Sequence, residues 1–249
     1  MPDGQSVRLH CFAHSAEGVS AFADWAADVA PGAELVPVPL PGGAQRRTEP
    51  RLTTAEALLV DVLPRFTDPQ PGPYVLYGHG LGALAALAVT RVLQEAGLPG
   101  PALLAVGACP PPHEPSELPD ARGVPDADLL QILGGKGAVP PTSDEGIFLR
   151  AMLPELRADL ELAAALREAV RKPSPADPLT TPLLVVAAED DVRAARLRAD
   201  GWSQWTAGPT WLRTIPGGDC SPYDRRLSRL VGRACRVVGR LVREPLYVS

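Results

Sequence analysis

The sequence predicts an α/β fold built on a mostly parallel central sheet. Short apolar runs alternate with segments of helical periodicity, which is the pattern of βαβ units. The chain has 249 residues, of which 45% are hydrophobic, and this is enough for one large buried core. A strand pattern, a glycine-rich turn and a helix pattern also follow one another in YVLYGHGLGALAAL, residues 74–87. We therefore expect a single domain that spans residues 1–249.

The apolar runs give six predicted strands, because each is short, rich in Val and Leu, and bounded by turn residues. In chain order they are residues 7–12, 34–38, 74–78, 102–108, 182–188 and 211–215. Apolar residues recur at helical spacing near residues 20–30, 53–66, 81–96 and 224–243. This alternation of strands and helices predicts βαβ units and a mostly parallel sheet.

The alternation of strand and helix patterns stops at about residues 110–180. This stretch begins with PPPHEP, has a helical pattern and contains no predicted strand. Apolar residues with helical spacing occur in IFLRAMLPELRADLELAAAL. A helical insertion between two core strands is typical of a lid over the carboxyl edge of the sheet, with an apolar face toward a ligand. The alternative is a helical excursion that is packed only for stability.

Composition excludes several classes of protein. The net charge of −5 and the pI near 5.4 give no support to nucleic-acid binding. No apolar run reaches the length of about 18 residues that a membrane helix needs, and the first residues lack a signal-peptide pattern. The four cysteines are widely spaced and form no CxxC motif. We expect a cytoplasmic protein, without a membrane or nucleic-acid partner, and no motif implies a metal or organic cofactor.

The stretch GHGLG, residues 78–82, has the frame of a nucleophile elbow, in which a strained residue connects a strand to a helix. Small neighbours let the strand and the helix approach each other, and Gly78, Gly82 and Ala83 are such neighbours. The central residue is Gly80, which carries no nucleophile. Taken alone, this motif is also compatible with an ordinary tight turn.

Further segments make the chain resemble the type II thioesterases. CFAHSAEGVSAFADWA (11–26) is similar to their first strand and oxyanion loop, and LPGGAQRRTEP (40–50) to their LPGRExRxxEP. LPELRADLE (153–161) is similar to LPxLRADFE, and IPGGDCSPY (215–223) to FPGGHFFL. LPDARGVPDADLLQILGGKGAVPP (118–141) is similar to the stretch that leads into their lid. The resemblance implies an α/β-hydrolase fold with a helical lid, and hydrolysis of acyl chains from carrier proteins of polyketide and peptide synthases.

The chain departs from that family at the catalytic residues. The resemblance places Gly80 at the nucleophile position, Asp191 at the acid position and Asp219 at the histidine position. No histidine follows residue 113. Acyl-enzyme chemistry needs an oxygen or sulfur nucleophile and a base, so a covalent mechanism at residue 80 is excluded.

Several carboxylate side chains are expected near the positions of the family's Ser–His–Asp triad. Asp191 and Asp219 are expected to meet at the carboxyl edge of the sheet, and Glu17 to enter from the oxyanion loop. Two close carboxylates do not both ionise cheaply, so one pKa rises and that group can serve as acid or base near neutrality. The alternative is that the site has lost its function, and that these acidic residues occupy solvated positions that are no longer constrained.

Other groups remain available at the elbow. The resemblance implies oxyanion donors at the N–H of Leu81 and near Ser15, and these could polarise a carbonyl. His79 matches a family position that is not the triad base, so a structural role is the first interpretation. His14 also matches a family position that shapes the oxyanion loop, and it is the imidazole expected nearest to the pocket. Cys220 is a possible substitute nucleophile, although a lone cysteine is more often packed in the core.

Two functions follow from these residues. The first is an enzyme that acts on an acyl or polyketide intermediate, free or bound to a carrier protein, by non-covalent acid–base chemistry. The second is an inactive thioesterase homologue that binds an acyl chain or an acyl carrier protein. The last predicted helix places Leu227, Leu230, Val231, Val238 and Leu241 on one face and six arginines elsewhere. The first interpretation is a helix that buries its apolar face against the core and exposes a solvated basic face. The alternative, which bears on the second function, is a docking surface for an acidic carrier protein.

Overall fold

The computed structural model describes residues 6–12, 18–30, 32–68, 72–115, 119–133, 143–175, 177–190, 199–217 and 220–243. Six strands form one sheet, and their bounds agree with the predicted runs to within a residue at most ends. They are β1 (Val7–Phe12), β2 (Ala33–Pro37), β3 (Tyr74–His79), β4 (Leu103–Gly107), β5 (Leu183–Ala188) and β6 (Thr210–Ile215). The predicted α/β class is confirmed.

The sheet is parallel throughout, with the strand order β2-β1-β3-β4-β5-β6. The chain passes from β1 to β2 on one side and then to β3 on the other side of β1. The direction of winding therefore reverses between β1 and β3. In open parallel sheets, ligands bind outside the carboxyl ends of the strands at such a point, and this is where the elbow lies.

Helices cover both faces of the sheet. They are α1 (Trp25–Val29), α2 (Ala55–Val62), α3 (Pro64–Thr67), α4 (Leu81–Glu95), α5 (Asp126–Leu133), α6 (Asp144–Arg171), α7 (Ala199–Ser203) and α8 (Arg225–Arg243), with a short 3-10 helix at Gly18–Phe22. Helices α2, α4 and α6 share one large apolar cluster with one face of the sheet. Helices α1 and α8 pack with the opposite face in a second cluster. None of the described helices has the length and apolarity to cross a bilayer.

Helix α4 is buried almost all round, because it lies between the sheet and α6. Twelve residues of its fifteen are buried, and the Ala-rich sequence LGALAALAVTRVLQE keeps its surface flat enough for that position. Glycine at position 78 is also required, since a Cβ there would lie 2.2 Å from Gly82 O and 2.4 Å from Ala83 Cα. The small residues of the motif thus bring β3 and α4 into contact, as the sequence predicts.

The insertion between β4 and β5 contains α5 and α6, and its two halves pack differently. The later part of α6 contributes Leu162, Leu166 and Val170 to the cluster shared with α4. The earlier part, with Leu153 and Leu160, forms a separate small cluster with α5 and its preceding loop. Of the lid predicted at about residues 110–180, α5 and the first half of α6 form this separate cluster, whereas the second half of α6 packs on the core. Whether the lid covers a ligand stays a prediction.

Candidate active site

The elbow is a one-residue turn between β3 and α4. Strand β3 ends at His79, Gly80 has φ 53° and ψ −116°, and α4 begins at Leu81. Residues with a Cβ rarely adopt this backbone region, whereas glycine enters it freely. Two backbone hydrogen bonds hold the turn: Gly80 N–H donates to Gly107 O at 2.9 Å, and Ala83 N–H to Gly80 O at 3.0 Å. Gly80 lies at the tip, as predicted, and brings no side chain to the site.

A hydrogen-bond donor remains at the turn. The first N–H groups of an α-helix have no acceptor within the helix, and the helix dipole adds positive potential there. Leu81 is the first residue of α4, so its N–H is one of these groups. Its side chain is 6% exposed and packs in the core, which fixes the backbone that carries the donor. The second predicted donor, Ser15, lies outside the described residues.

His79 is tied to a buried tyrosine that the sequence analysis did not single out. Tyr77 Oη and His79 Nδ1 are 3.1 Å apart. Burial raises the pKa of Tyr77 well above its ordinary value, so the phenol stays protonated, and the tautomer of His79 sets which of the two groups donates. Residues two apart on a strand share a face, and the pattern Tyr-x-His was the available signal. This bond agrees with a structural role for His79.

Gly107 makes room for that hydrogen bond. It pairs with His79 in the register of β3 and β4, and a Cβ at this position would lie 2.7 Å from Tyr77 Oη. A side chain on residue 107 would therefore displace the phenol. Gly107 therefore has two roles. Its carbonyl accepts the hydrogen bond from Gly80 N–H, and its lack of a side chain leaves space for the Tyr77 hydroxyl.

The predicted acid–base residues Asp191, Asp219, Glu17 and His14 lie outside the described residues, and their roles stay predictions. The described residues that flank two of them are nevertheless held together. Glu189 N–H donates to Ile215 O at 2.9 Å, and Asp190 N–H donates to Gly217 O at 3.0 Å. The segments that lead to residues 191 and 219 therefore leave β5 and β6 side by side.

The loop that resembles LPGRExRxxEP is held by arginines. Arg46 Nε donates to Glu49 Oε1 at 2.7 Å, and Arg46 Nη2 to Asp61 Oδ1 of α2 at 2.7 Å. These two carboxylates raise the pKa of Arg46 above its ordinary value. Within this motif, Arg46 and Glu49 therefore fix the shape of the loop.

Arg51, directly after that loop, reaches the insertion. Its guanidinium contacts Glu155 Oε2 at 2.5 Å and Asp159 Oδ1 at 3.4 Å, both on α6. On the other side of α6, Arg157 donates to Ala121 O at 2.7 Å and to Asp126 Oδ1 at 2.6 Å. The first half of α6 is therefore attached through ion pairs to Arg51 and to Asp126, the first residue of α5, and through a hydrogen bond to a backbone carbonyl of the loop before α5.

The cysteines offer no exposed nucleophile. All four are free and buried, and the Cys220 thiol donates to Val186 O at 3.9 Å, within the core cluster of the α8 face. This packing agrees with the interpretation of Cys220 as a residue packed in the core. Among the residues described, no group of three or more His, Cys, Asp or Glu side chains is arranged to hold a metal ion.

The parallel sheet, its switch point and the strand–turn–helix elbow define the class, an α/β-hydrolase fold. Comparison with known proteins identifies the family within that class. The sequence model of the Thioesterase domain matches residues 7–234. The chain therefore belongs to the thioesterase domain family, as the sequence motifs predict.

Two relatives and one solved structure illustrate the similarity. "Thioesterase PikA5" of Streptomyces venezuelae is 30% identical over 217 residues, which cover 86% of this chain and 74% of that protein. "Probable cadicidin biosynthesis thioesterase" of Streptomyces griseus is 31% identical over 220 residues, 87% of this chain but only 58% of that protein. The structure "RedJ-Thioesterase from the Prodiginine biosynthetic pathway in Streptomyces coelicolor" superposes with a TM-score of 0.71 at 30% identity, covering 91% of this chain and 85% of that chain.

Proposed function

We propose that this chain is a thioesterase-family enzyme of polyketide or nonribosomal-peptide biosynthesis that acts without a covalent acyl-enzyme. The observation that carries the proposal is Gly80 at the tip of the elbow, with φ 53° and no side chain. A hydroxyl or thiol at this point is what family chemistry needs. In this proposal the N–H of Leu81, at the start of α4, stabilises the oxyanion, although residue 80 carries no nucleophile.

The reaction in this proposal is acid–base catalysis by carboxylates. Asp219 and Asp191 act as the proton-transferring pair, with Glu17 and His14 beside them, and the N–H of Leu81 polarises the substrate carbonyl. The hydrogen bond from Asp190 N–H to Gly217 O supports the pairing, because the described ends of both segments touch. Such a pair suits cyclisation, elimination, isomerisation or direct attack by water, since each needs a proton to be moved near a carbonyl.

The substrate class is proposed from the relatives. Their names connect them with cadicidin biosynthesis and with the prodiginine pathway. We infer an acyl or polyketide intermediate of secondary metabolism for this chain, either free or bound to a carrier protein. The chain spans only part of the length of its curated relatives, so their full activities are not carried over.

The first test asks whether an acyl-enzyme forms. Short acyl thioesters and a serine-directed phosphonate are incubated with the protein, and mass spectrometry is used to find labelled peptides. No label is expected on residues 78–82. The variant Gly80→Ser is expected to gain no more than about tenfold in hydrolysis, because a serine without a base is a weak nucleophile. Stoichiometric acylation of the natural chain would overturn the non-covalent mechanism.

The second test addresses Asp219. The variant Asp219→Asn keeps the size of the side chain but loses proton transfer, so turnover of the native substrate should fall by roughly 10² or more with folding unchanged. Asp190→Asn is the matched control, because Asp190 is exposed on the neighbouring segment. Equal activity of Asp219→Asn and the natural chain would refute the acid–base assignment.

The same experiments separate the enzyme from the inactive homologue. A binding protein would hold an acyl chain or an acyl carrier protein tightly and convert neither. Tight binding with no turnover of any carrier-bound intermediate of the pathway would therefore favour that alternative over the enzyme.

A further inference from the structure

A second concave surface lies on the α8 face of the sheet, away from the elbow. We call it the α8 groove. It has a volume of 530 Å³ and lies between α8 and the residues at the amino ends of β4 and β5, with Trp211 and Arg213 of β6 along its side. The elbow follows the carboxyl end of β3. Because all strands are parallel, the groove and the elbow lie toward opposite ends of the sheet.

The groove exposes large apolar side chains. Trp211 is 42% exposed, Val237 50% and Leu241 55%. Their neighbours in the groove, Leu103 and Leu184, are buried and form its floor. A concave surface lined mainly by apolar side chains, with a few polar groups, is typical of small-molecule sites. The volume falls within the range of roughly 300–1,000 Å³ that small-molecule pockets occupy.

The charged residues that line the groove are both arginines, Arg213 and Arg233, and no aspartate or glutamate is among its described lining residues. Helix α8 itself carries no acidic residue from Arg225 to Arg243. Arg213 Nη1 donates to Leu212 O at 2.9 Å, which holds this guanidinium at the edge strand. A guanidinium presents a planar fork of donors that matches a carboxylate. The groove therefore combines an apolar floor with a cationic rim.

We propose that the α8 groove binds an amphipathic carboxylate, that is, an apolar acyl or alkyl chain that ends in a carboxylate group. The chain would lie over Trp211, Val237 and Leu241, and the carboxylate would contact Arg213 and Arg233. A concave site of this volume suits a small ligand better than a protein partner, which needs roughly 800 Å² of surface on each side. The site is independent of the acid–base reaction proposed at the elbow.

Trp211 provides the readout, because it is the tryptophan that lines the groove. Trp25 and Trp202 are buried in the core, and Trp205 is half-buried beside His113. Tryptophan emission and calorimetry are followed while decanoate, decanol or decyltrimethylammonium is added below its aggregation concentration. Decanoate is expected to bind with a Kd at least about tenfold below that of decanol, and the cation to bind more weakly than both. In Trp211→Phe the emission change should disappear.

Variants locate the site. Arg233→Gln is expected to raise the Kd of decanoate about tenfold, and Val237→Asp to abolish binding. Arg240→Gln is the matched control, since Arg240 is an exposed arginine of the same helix that does not line the groove. Circular dichroism verifies that each variant is folded, and turnover at the elbow should be unchanged in all of them.

Three results would overturn the proposal. Equal affinity for decanoate and decanol would remove the role of the arginines. An unchanged Kd in both Arg233→Gln and Val237→Asp would place decanoate elsewhere in the protein. Binding to a chain that ends at Arg243, with none to the full chain, would assign the groove to residues 244–249 of the chain itself.

Discussion

Gly78 and Gly80 meet two different physical needs within the same turn. Gly78 is needed for space, because any Cβ would overlap the backbone of Gly82 and Ala83. Gly80 is needed for conformation, because its φ is 53°. A nucleophile at residue 80 would have to accept that backbone strain, which functional sites commonly store. With glycine there, the strain is relieved together with the loss of the reactive group.

The variant Gly80→Ala tests this relief of strain. It should lower the free energy of unfolding by about 1–3 kcal/mol, the usual cost of a sparsely populated backbone region for a residue with a Cβ. The matched control is Gly100→Ala, where the nearest atom to the new Cβ would be Thr181 Oγ1 at 3.7 Å. Urea unfolding at neutral pH measures both changes. Equal stability of the two variants would show that the turn relaxes at no cost.

At the scale of elements, the insertion depends on a few long-range charged contacts. The side chain of Arg51 is 17% exposed and that of its partner Asp159 is 8% exposed, so the pair is largely removed from solvent. Arg51→Met should destabilise the protein by at least about 2 kcal/mol, because it leaves carboxylates without their cation. Amide exchange in the first half of α6 should accelerate.

A double-mutant cycle with Asp159→Asn checks that assignment. Coupling between the two positions of at least about 1 kcal/mol is expected for groups in contact. Arg47→Met serves as the control, because Arg47 is exposed on the same loop, and its effect should stay within about 0.5 kcal/mol. Additive effects of Arg51→Met and Asp159→Asn would contradict a direct interaction.

These elements also show what a single sequence can and cannot predict. All six strands and the elbow were predicted, because apolar runs and small residues at fixed spacing act locally. The contact from Arg51 to Glu155 joins residues 104 positions apart, and periodicity carries no information about it. Leu241 was assigned to the buried face of the last helix but is 55% exposed. Helical spacing identifies a face, yet it cannot tell that the last turn borders the open α8 groove.

At the scale of the whole molecule, stability should depend on pH through a buried histidine. The ring centroid of His10 lies 5.0 Å from that of Phe66 and 5.8 Å from that of Tyr74. Neither ring nitrogen has a hydrogen-bond partner among the described residues. Burial, and then the charges of Arg8 and Arg65, lower the pKa of His10 from 6.5 to about 4.

The unfolded chain therefore binds a proton at His10 at a higher pH than the folded chain does. The stabilisation is complete above about pH 6.5 and is lost as the pH falls toward 4, with about 2 kcal/mol lost between pH 7 and pH 5. Urea midpoints at these two pH values measure the loss, and His10→Leu should reduce it by that amount. An identical pH dependence in His10→Leu would show that other groups cause it.

Because all four free cysteines are buried, the folded chain should react only slowly with thiol reagents. None is more than 5% exposed, and burial raises the pKa of Cys109 and of Cys235 to about 12. Modification by a disulfide reagent should be at least about a thousandfold slower than for a free thiol, because it must wait for the protein to open. Cys109 belongs to the cluster on the α4 face, whereas Cys11 and Cys235 belong to the cluster on the α8 face. Mass spectrometry of the order in which they are modified would therefore reveal which side of the sheet separates first, without any engineered label.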